Sequence, residues 1–228
     1  MKNADKKQKA LLLVSELEKL YPKAECALKY EGDPYRLLVM AVLSAQCTDK
    51  RVNEVSVSLF EKYPTPELLA ASPEGELEEV IRSVGLYNSK AKNLRAACKR
   101  LCEVYGGTVP KEMDELLSLG GVGRKVANLL RGDLYGLGGI VADTHCIRIS
   151  ARLGLTASKA AAKAKKYPSP LETEKILSKL IPLEKQSDFC HRLVLFGREI
   201  CDARSPKCGN CPISEHCQSR SENAKDKA

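Results

Sequence analysis

Apolar residues recur along this chain at helical spacing from near its start to about residue 200. Lys6–Leu20 places Leu13, Leu17 and Leu20 on one face. Pro34–Gln46 is mostly apolar and opens on a proline, the mark of a buried helix. Asp49–Tyr63 aligns Val52, Val55 and Leu59. Ser72-Pro73 reads as an N-cap followed by a first-turn proline, and Gly85 as that helix's stop. Asn88 is expected to cap a helix running to about Tyr105 and ending at Gly106-Gly107. A short helix after Pro110 carries Met113, Leu116 and Leu117, and a glycine-rich loop at 120–123 leads into a helix over Arg124–Arg131. Asp143 reads as the N-cap of a helix ending before Gly154, and two more helices fit Leu171–Leu180 and Ser187–Ile200.

Strand signals are nearly absent, since Ile140-Val141 is too short to count. The pattern predicts an all-α protein of about ten helices joined by short loops. No repeat of 20–50 residues is present. Residues 157–166 (ASKAAAKAKK) are basic and low in complexity, an exposed helix end or a flexible loop, and the polar stretch Ser219–Ala228 reads as a frayed tail.

The chain has 228 residues, of which 43% are hydrophobic, so a sizeable core is affordable and wholesale disorder is excluded. The longest apolar run, Leu37–Ala45, is too short to span a bilayer. Near the N-terminus, Ser15-Glu16 interrupts the apolar run Leu11–Val14, which argues against a secretory signal. The expected location is cytoplasmic and nucleoid-associated, or nuclear in a eukaryote, with no membrane partner. A net charge of +8 suits a polyanion such as nucleic acid, or an indifferent basic surface; charge alone leaves both open.

Ten cysteines in a reducing compartment point to metal binding over disulfides. Four of them crowd into Cys201-x6-Cys208-x2-Cys211-x5-Cys217, where Gly209 and Pro212 supply turn chemistry. All-sulfur ligation selects zinc or an iron–sulfur cluster, and ligand chemistry alone makes zinc the default. Cys98 and Cys102 stand one helical turn apart and read as packing residues; Cys26, Cys47, Cys146 and Cys190 read as buried small hydrophobes.

Leu119-Gly120-Gly121-Val122-Gly123-Arg124-Lys125 sits between two helical patterns. It lacks the strand context of a dinucleotide site and the residue order of a nucleotide-triphosphate loop. What fits is a hairpin between helices whose backbone N–H groups, from Gly121 through Arg124, grip a nucleic-acid phosphate; a plain tight turn is the alternative. Lys125 lies in the first turn of its helix, where the dipole disfavours a charged ammonium and partial burial would add to that effect. A neutral amine there is a nucleophile able to form a Schiff base; otherwise Lys125 binds phosphate. Asp143, eighteen positions on (143 minus 125), is either a plain cap or an ionised carboxylate that stabilises positive charge and accepts the lysine's proton. His145 reads as a positioning or packing residue at that same end of the helix.

Four ordered motifs now give the chain a resemblance to the endonuclease III family of DNA repair glycosylases. They are Leu43-Ser44-Ala45-Gln46-Cys47-Thr48-Asp49; Gly85-Leu86-Tyr87-Asn88-Ser89-Lys90-Ala91; Val122-Gly123-Arg124-Lys125 with Ala127-Asn128 and then Asp143-Thr144-His145; and the four cysteines with the family's spacing. The resemblance spans residues 10–217. It implies a [4Fe–4S] cluster on Cys201, Cys208, Cys211 and Cys217. It implies a six-helix domain over 25–137, a second helical domain from 1–24 plus 138–228, and an active site in the cleft between them. The nucleophile falls on Lys125 and the catalytic carboxylate on Asp143. Gln46 and Leu86 match positions that fill the gap left by an extruded nucleotide. Gly121, Gly123, Arg124 and His145 join the DNA-binding set, and Arg204 and Lys207 match basic residues that touch phosphates.

The implied function is a bifunctional DNA glycosylase and abasic-site lyase that removes oxidised pyrimidines through a lysine Schiff base and cuts the strand by β-elimination. Its implied partner is double-stranded DNA holding damaged bases or abasic sites, met as a monomer. Three departures from the family stand out: Gly120 where a proline is usual, Val126 where a threonine is usual, and the basic stretch 157–166. An adenine-excising branch of the superfamily places a catalytic glutamate in the helix corresponding to 36–46, and no carboxylate lies between Arg36 and Thr48. A non-catalytic DNA-binding protein with a zinc-filled cysteine cluster is the reading from another class.

Overall fold

The computed structural model describes residues 3–220. Among the described residues there are twelve α-helices and no strand. They are α1 (Asn3–Leu20), α2 (Pro34–Leu43), α3 (Asp49–Lys62), α4 (Pro66–Ala70), α5 (Glu76–Val80), α6 (Tyr87–Tyr105), α7 (Met113–Leu117), α8 (Arg124–Tyr135), α9 (Thr144–Arg152), α10 (Lys159–Lys163), α11 (Pro170–Leu180) and α12 (Gln186–Glu199). No helix among the described residues is long and apolar enough to cross a membrane. The chain divides into two compact units: Cys26–Gly136, carrying α2 to α8, and Met1–Glu25 with Leu137–Ala228, carrying α1 and α9 to α12.

The first unit is built around α2. Asp33 caps it by accepting the N–H of Arg36 at 3.2 Å, with Pro34 in the first turn. Every residue from Leu37 to Leu43 is buried, so the helix is apolar all round and needs neighbours on every side. Helices α3, α6 and α8 supply them. Each fully buried leucine there contributes about 1.5–3 kcal/mol relative to exposure. Helix α6 turns the stripe Ala91, Leu94, Cys98 and Leu101 into this core and ends at Gly106 in a left-handed cap. From its polar edge Arg95 donates to both carboxylate oxygens of Glu78 at 2.7 Å and to Ser72 O at 3.0 Å, tying down the segment before α6. That pairing holds the Glu78 carboxyl down at about 2.

Several boundaries differ from the sequence expectation. Ser72 caps nothing; it accepts from Arg95, and α5 begins later, behind Gly75, whose N–H donates to Glu78 Oε2 at 2.9 Å. The next helix opens one residue before Asn88, with Leu86 as its N-cap. Helix α2 stops at Leu43, leaving Gln46 outside it. Helices α4 and α10 were not expected as elements, because five residues are too few to show a period. The stretch 157–166 holds α10, capped by Ser158, with Ala162 buried and its lysines exposed. Cys146 and Cys190 are buried as expected, but Cys26 and Cys47 are only half-buried. Of the expected frayed tail, residues 221–228 lie outside the described residues.

In the second unit α1 buries Ala10, Leu13, Val14 and Leu17 and packs on α11 and α12. Helices α9 and α12 approach so closely that a Cβ on Gly197 would fall 2.3 Å from His145 Nδ1. Glycine is required there by contact, not by backbone conformation.

Candidate functional site

The hairpin between α7 and α8 rests on α6. A Cβ at Gly120 would lie 2.5 Å from Asn93 O, and one at Gly121, where φ is +78°, would lie 3.1 Å from Asn93 Cβ and Val42 Cγ1. The glycine at 120 therefore has a local reason: any Cβ, proline's included, meets the Asn93 carbonyl unless the hairpin shifts. Leu119 and Val122 bury themselves on either side and anchor the turn. Gly123 differs from these two glycines. It is the N-cap of α8 at φ −95°, and a Cβ on it would meet nothing within 4 Å. No internal contact demands a glycine there, so its missing side chain leaves room for something outside the chain. Helix α8 also lacks a side-chain cap, so its first-turn N–H groups suit an anion.

Lys125 is the second residue of α8. It is exposed. Arg124 beside it is exposed too, while Val126 packs partly against the core. In the same unit, Gln46 and Leu86 share an unusual property. Both are non-glycine residues in left-handed backbone, at φ 54° and 50°. Both are exposed, Leu86 by 56%. Left-handed backbone is costly for such residues, and strain of this kind gathers at functional sites.

In the other unit Asp143 caps α9, its Oδ1 accepting the N–H of Cys146 at 2.7 Å. Capping fixes the carboxylate at the N-terminus of α9. The His145 ring lies against α12 at Gly197 and within 3.2 Å of Arg148 Nη2. Two arginines one turn apart on α9 then reach the cysteine loop. Arg148 donates to Cys201 O at 3.0 Å; Arg152 donates to Cys201 Sγ at 3.3 Å, Asp202 O at 2.7 Å and Ala203 O at 2.9 Å. The sequence reading missed both, although the i, i+4 spacing of Arg148 and Arg152 puts them on one face of the helix, a usable signal.

Cys201, Cys208, Cys211 and Cys217 line one cavity of about 40 Å³ with Arg152 and Phe196. Ser219 Oγ, buried and without a partner among the described residues, borders it as well. Burial pushes the Cys211 thiol up to about 11 and raises that of Cys217, so thiolates there need cationic charge to neutralise them. Four thiols around one cavity suit an all-sulfur metal centre, zinc or an iron–sulfur cluster. Arg204 and Lys207 stand exposed on the same loop.

Comparison with known proteins agrees with this arrangement. Residues 39–182 match the HhH-GPD superfamily of base excision DNA repair proteins, and residues 201–217 match the iron–sulfur binding domain of endonuclease III. The chain is 44% identical to endonuclease III of Synechocystis sp. over 219 residues, which covers 96% of this chain and 95% of that one. It is 45% identical to endonuclease III of Bacillus subtilis over 199 residues, 87% of each chain. A trapped covalent intermediate of an endonuclease III with DNA superposes with a TM-score of 0.85 at 44% identity, covering 93% of this chain and 96% of that one. A non-covalent endonuclease III–DNA complex gives 0.86 at 43%, covering 96% and 99%. These matches define a helix–hairpin–helix base-excision repair protein. Within that class, the chain belongs to the endonuclease III family. It carries a [4Fe–4S] cluster, which displaces the zinc alternative left open by ligand chemistry.

Proposed function

We propose that this protein removes oxidised pyrimidines from double-stranded DNA and cuts the strand at the resulting abasic site, with Lys125 as nucleophile and Asp143 as catalytic carboxylate. As a member of its family it is a DNA glycosylase and abasic-site lyase that binds DNA. The observation that carries the residue assignment is an exposed lysine in the first turn of α8, two residues after a glycine whose lack of a side chain no internal contact explains. The relative trapped as a covalent DNA intermediate supports a covalent route.

The target nucleotide leaves the stack, and a damaged base costs less to extrude. Gln46 and Leu86 fill the vacated space, while the hairpin amides with Arg124, Arg204 and Lys207 hold phosphates. The Lys125 amine attacks C1′ as the glycosidic bond breaks and the base departs with the bonding pair. Asp143 stabilises the positive charge that develops and takes the proton the amine sheds. Ring opening yields an imine, which acidifies C2′; loss of that proton expels the 3′ phosphate oxygen. Cys201, Cys208, Cys211 and Cys217 hold the cluster, whose role is structural. The protein acts as a monomer in the compartment that holds the DNA.

Borohydride reduction during reaction with an oxidised-pyrimidine duplex tests this reading. Wild type should give a reduced protein–DNA adduct, and Lys125→Gln should give none while still binding. Asp143→Asn should slow base release by about 10²–10⁴-fold with the fold intact, because asparagine caps a helix as well as aspartate does. Base release by wild type with no adduct would remove Lys125 as nucleophile and leave a water-dependent route.

A further inference from the structure

Lys90 is only 4% exposed, the single lysine among the described buried residues. Burying an ammonium is costly, and an apolar side chain would avoid that cost. The charged end has a use, however. Lys90 Nζ donates to Val84 O at 2.9 Å, and the Lys90 backbone N–H donates to Leu86 O at 3.0 Å. The backbone bond is the first turn of α6 and needs no lysine; the side-chain bond holds the chain just before Gly85 and Leu86, which hold φ values of 70° and 50°. Helix α6 has no side-chain cap, so nothing of the usual kind fixes its entry. A strained left-handed leucine persists only where its surroundings over-determine it, and a buried charge-assisted hydrogen bond to the residue before the turn is a strong constraint of that kind. Burial lowers the pKa of this ammonium, and Cys47, the neighbour of Gln46, is close enough to act on its charge.

We infer that Lys90 is a positioning residue: it clamps the Gly85-Leu86 turn in the conformation that holds the Leu86 side chain outward, poised to enter the base stack when a nucleotide leaves. The inference rests on the role proposed above for Leu86. Lys90 does not touch DNA; it acts through Leu86.

The test uses the full chain with its cluster and a duplex holding a tetrahydrofuran abasic analogue opposite 2-aminopurine, whose fluorescence rises when its stack is opened. Lys90→Met should lose most of that rise, as Leu86→Ala does. Its preference for abasic over undamaged duplex should fall about tenfold, the scale of one charge-assisted hydrogen bond. Lys90→Arg should restore both. The double variant should lose no more than Leu86→Ala alone, since the two act on one event. If Lys90→Met proves unable to fold, Lys90→Gln, whose donor is too short to span the turn, should show the same loss. A full fluorescence rise in the folded Lys90 variant, with the rise lost in Leu86→Ala, overturns the clamp and leaves the role of Leu86 standing. A full rise in Leu86→Ala overturns the role of Leu86 and the clamp with it.

Discussion

The hairpin of α7 and α8 and the cysteine loop after α12 are both short irregular segments proposed to touch DNA, yet they are held in shape by different forces. Leu116, Leu119, Val122, Ala127 and Leu130, in and beside the hairpin, are each no more than 6% exposed. Its turn lies directly on the backbone of α6 at Asn93. The hydrophobic effect and close packing are enough to set its geometry. Within 201–217, by contrast, Ile213 is the one buried residue. The rest is held by arginines from α9, by Asp202 Oδ1 accepting the N–H groups of Arg204 and Ser205 at 2.8 and 3.0 Å, and by whatever its four thiols bind. A segment without a core of its own must draw folding free energy from its cofactor. One region is therefore ordered by the chain, and the other by the chain plus iron.

Removing the iron should produce the largest effect and the sharpest contrast. Structural metal sites supply apparent binding energies of about 10 kcal/mol or more, well beyond what a few exposed hydrogen bonds replace. Amide hydrogen exchange on chelated protein should show protection lost across 201–217 and kept in Cys26–Gly136. Equal loss in both units, or none in the loop, breaks the comparison.

Within the hairpin the glycines divide the same question more finely. Gly121→Val forces a branched side chain into left-handed backbone and against Asn93 and Val42. Strain and overpacking together should cost about 2–4 kcal/mol in denaturant unfolding. Gly123→Ala meets no atom and keeps an ordinary φ, so stability should change by less than about 0.5 kcal/mol while DNA affinity falls. Stability lost at 123 with affinity kept would show that this glycine serves packing after all.

What the sequence made legible follows the same division between local and distant causes. The cap at Asp143 was readable because an acid before a helical pattern bonds its own first turn. The cysteine spacing was readable because four thiols within one loop need no distant partner. Gly120 gave no such sign, since its contact, Asn93, lies 27 positions away (120 minus 93). Lys90 reads as an ordinary surface lysine among Tyr87, Asn88 and Ser89; only the fold buries it. Lys125 was placed in the first turn of its helix by the glycines before it, but its exposure is a property of the fold that the sequence pattern does not show. The left-handed backbone of Gln46 and Leu86 has no signature in residue type, as neither glutamine nor leucine favours it.

The smallest effect concerns the loop that iron shapes. Lys207 is exposed and borders the cysteine cavity; its backbone N–H donates to Ile200 O at 2.9 Å, a bond that truncation of the side chain leaves in place. Its contribution is expected to be one phosphate contact. Neutralising one phosphate releases close to one counterion, so each such contact adds about 0.9 to the steepness of log affinity against log salt. Lys207→Ala should therefore weaken binding to undamaged duplex uniformly across sequences and reduce that slope by about one. Visible absorption of the cluster should stay unchanged, since the four thiols and the Arg152 contacts remain. A variant that bleaches the cluster would make Lys207 part of the loop's scaffold. An unchanged slope with an intact cluster would take it out of the DNA contact, leaving Arg204 and the hairpin amides as the phosphate grip.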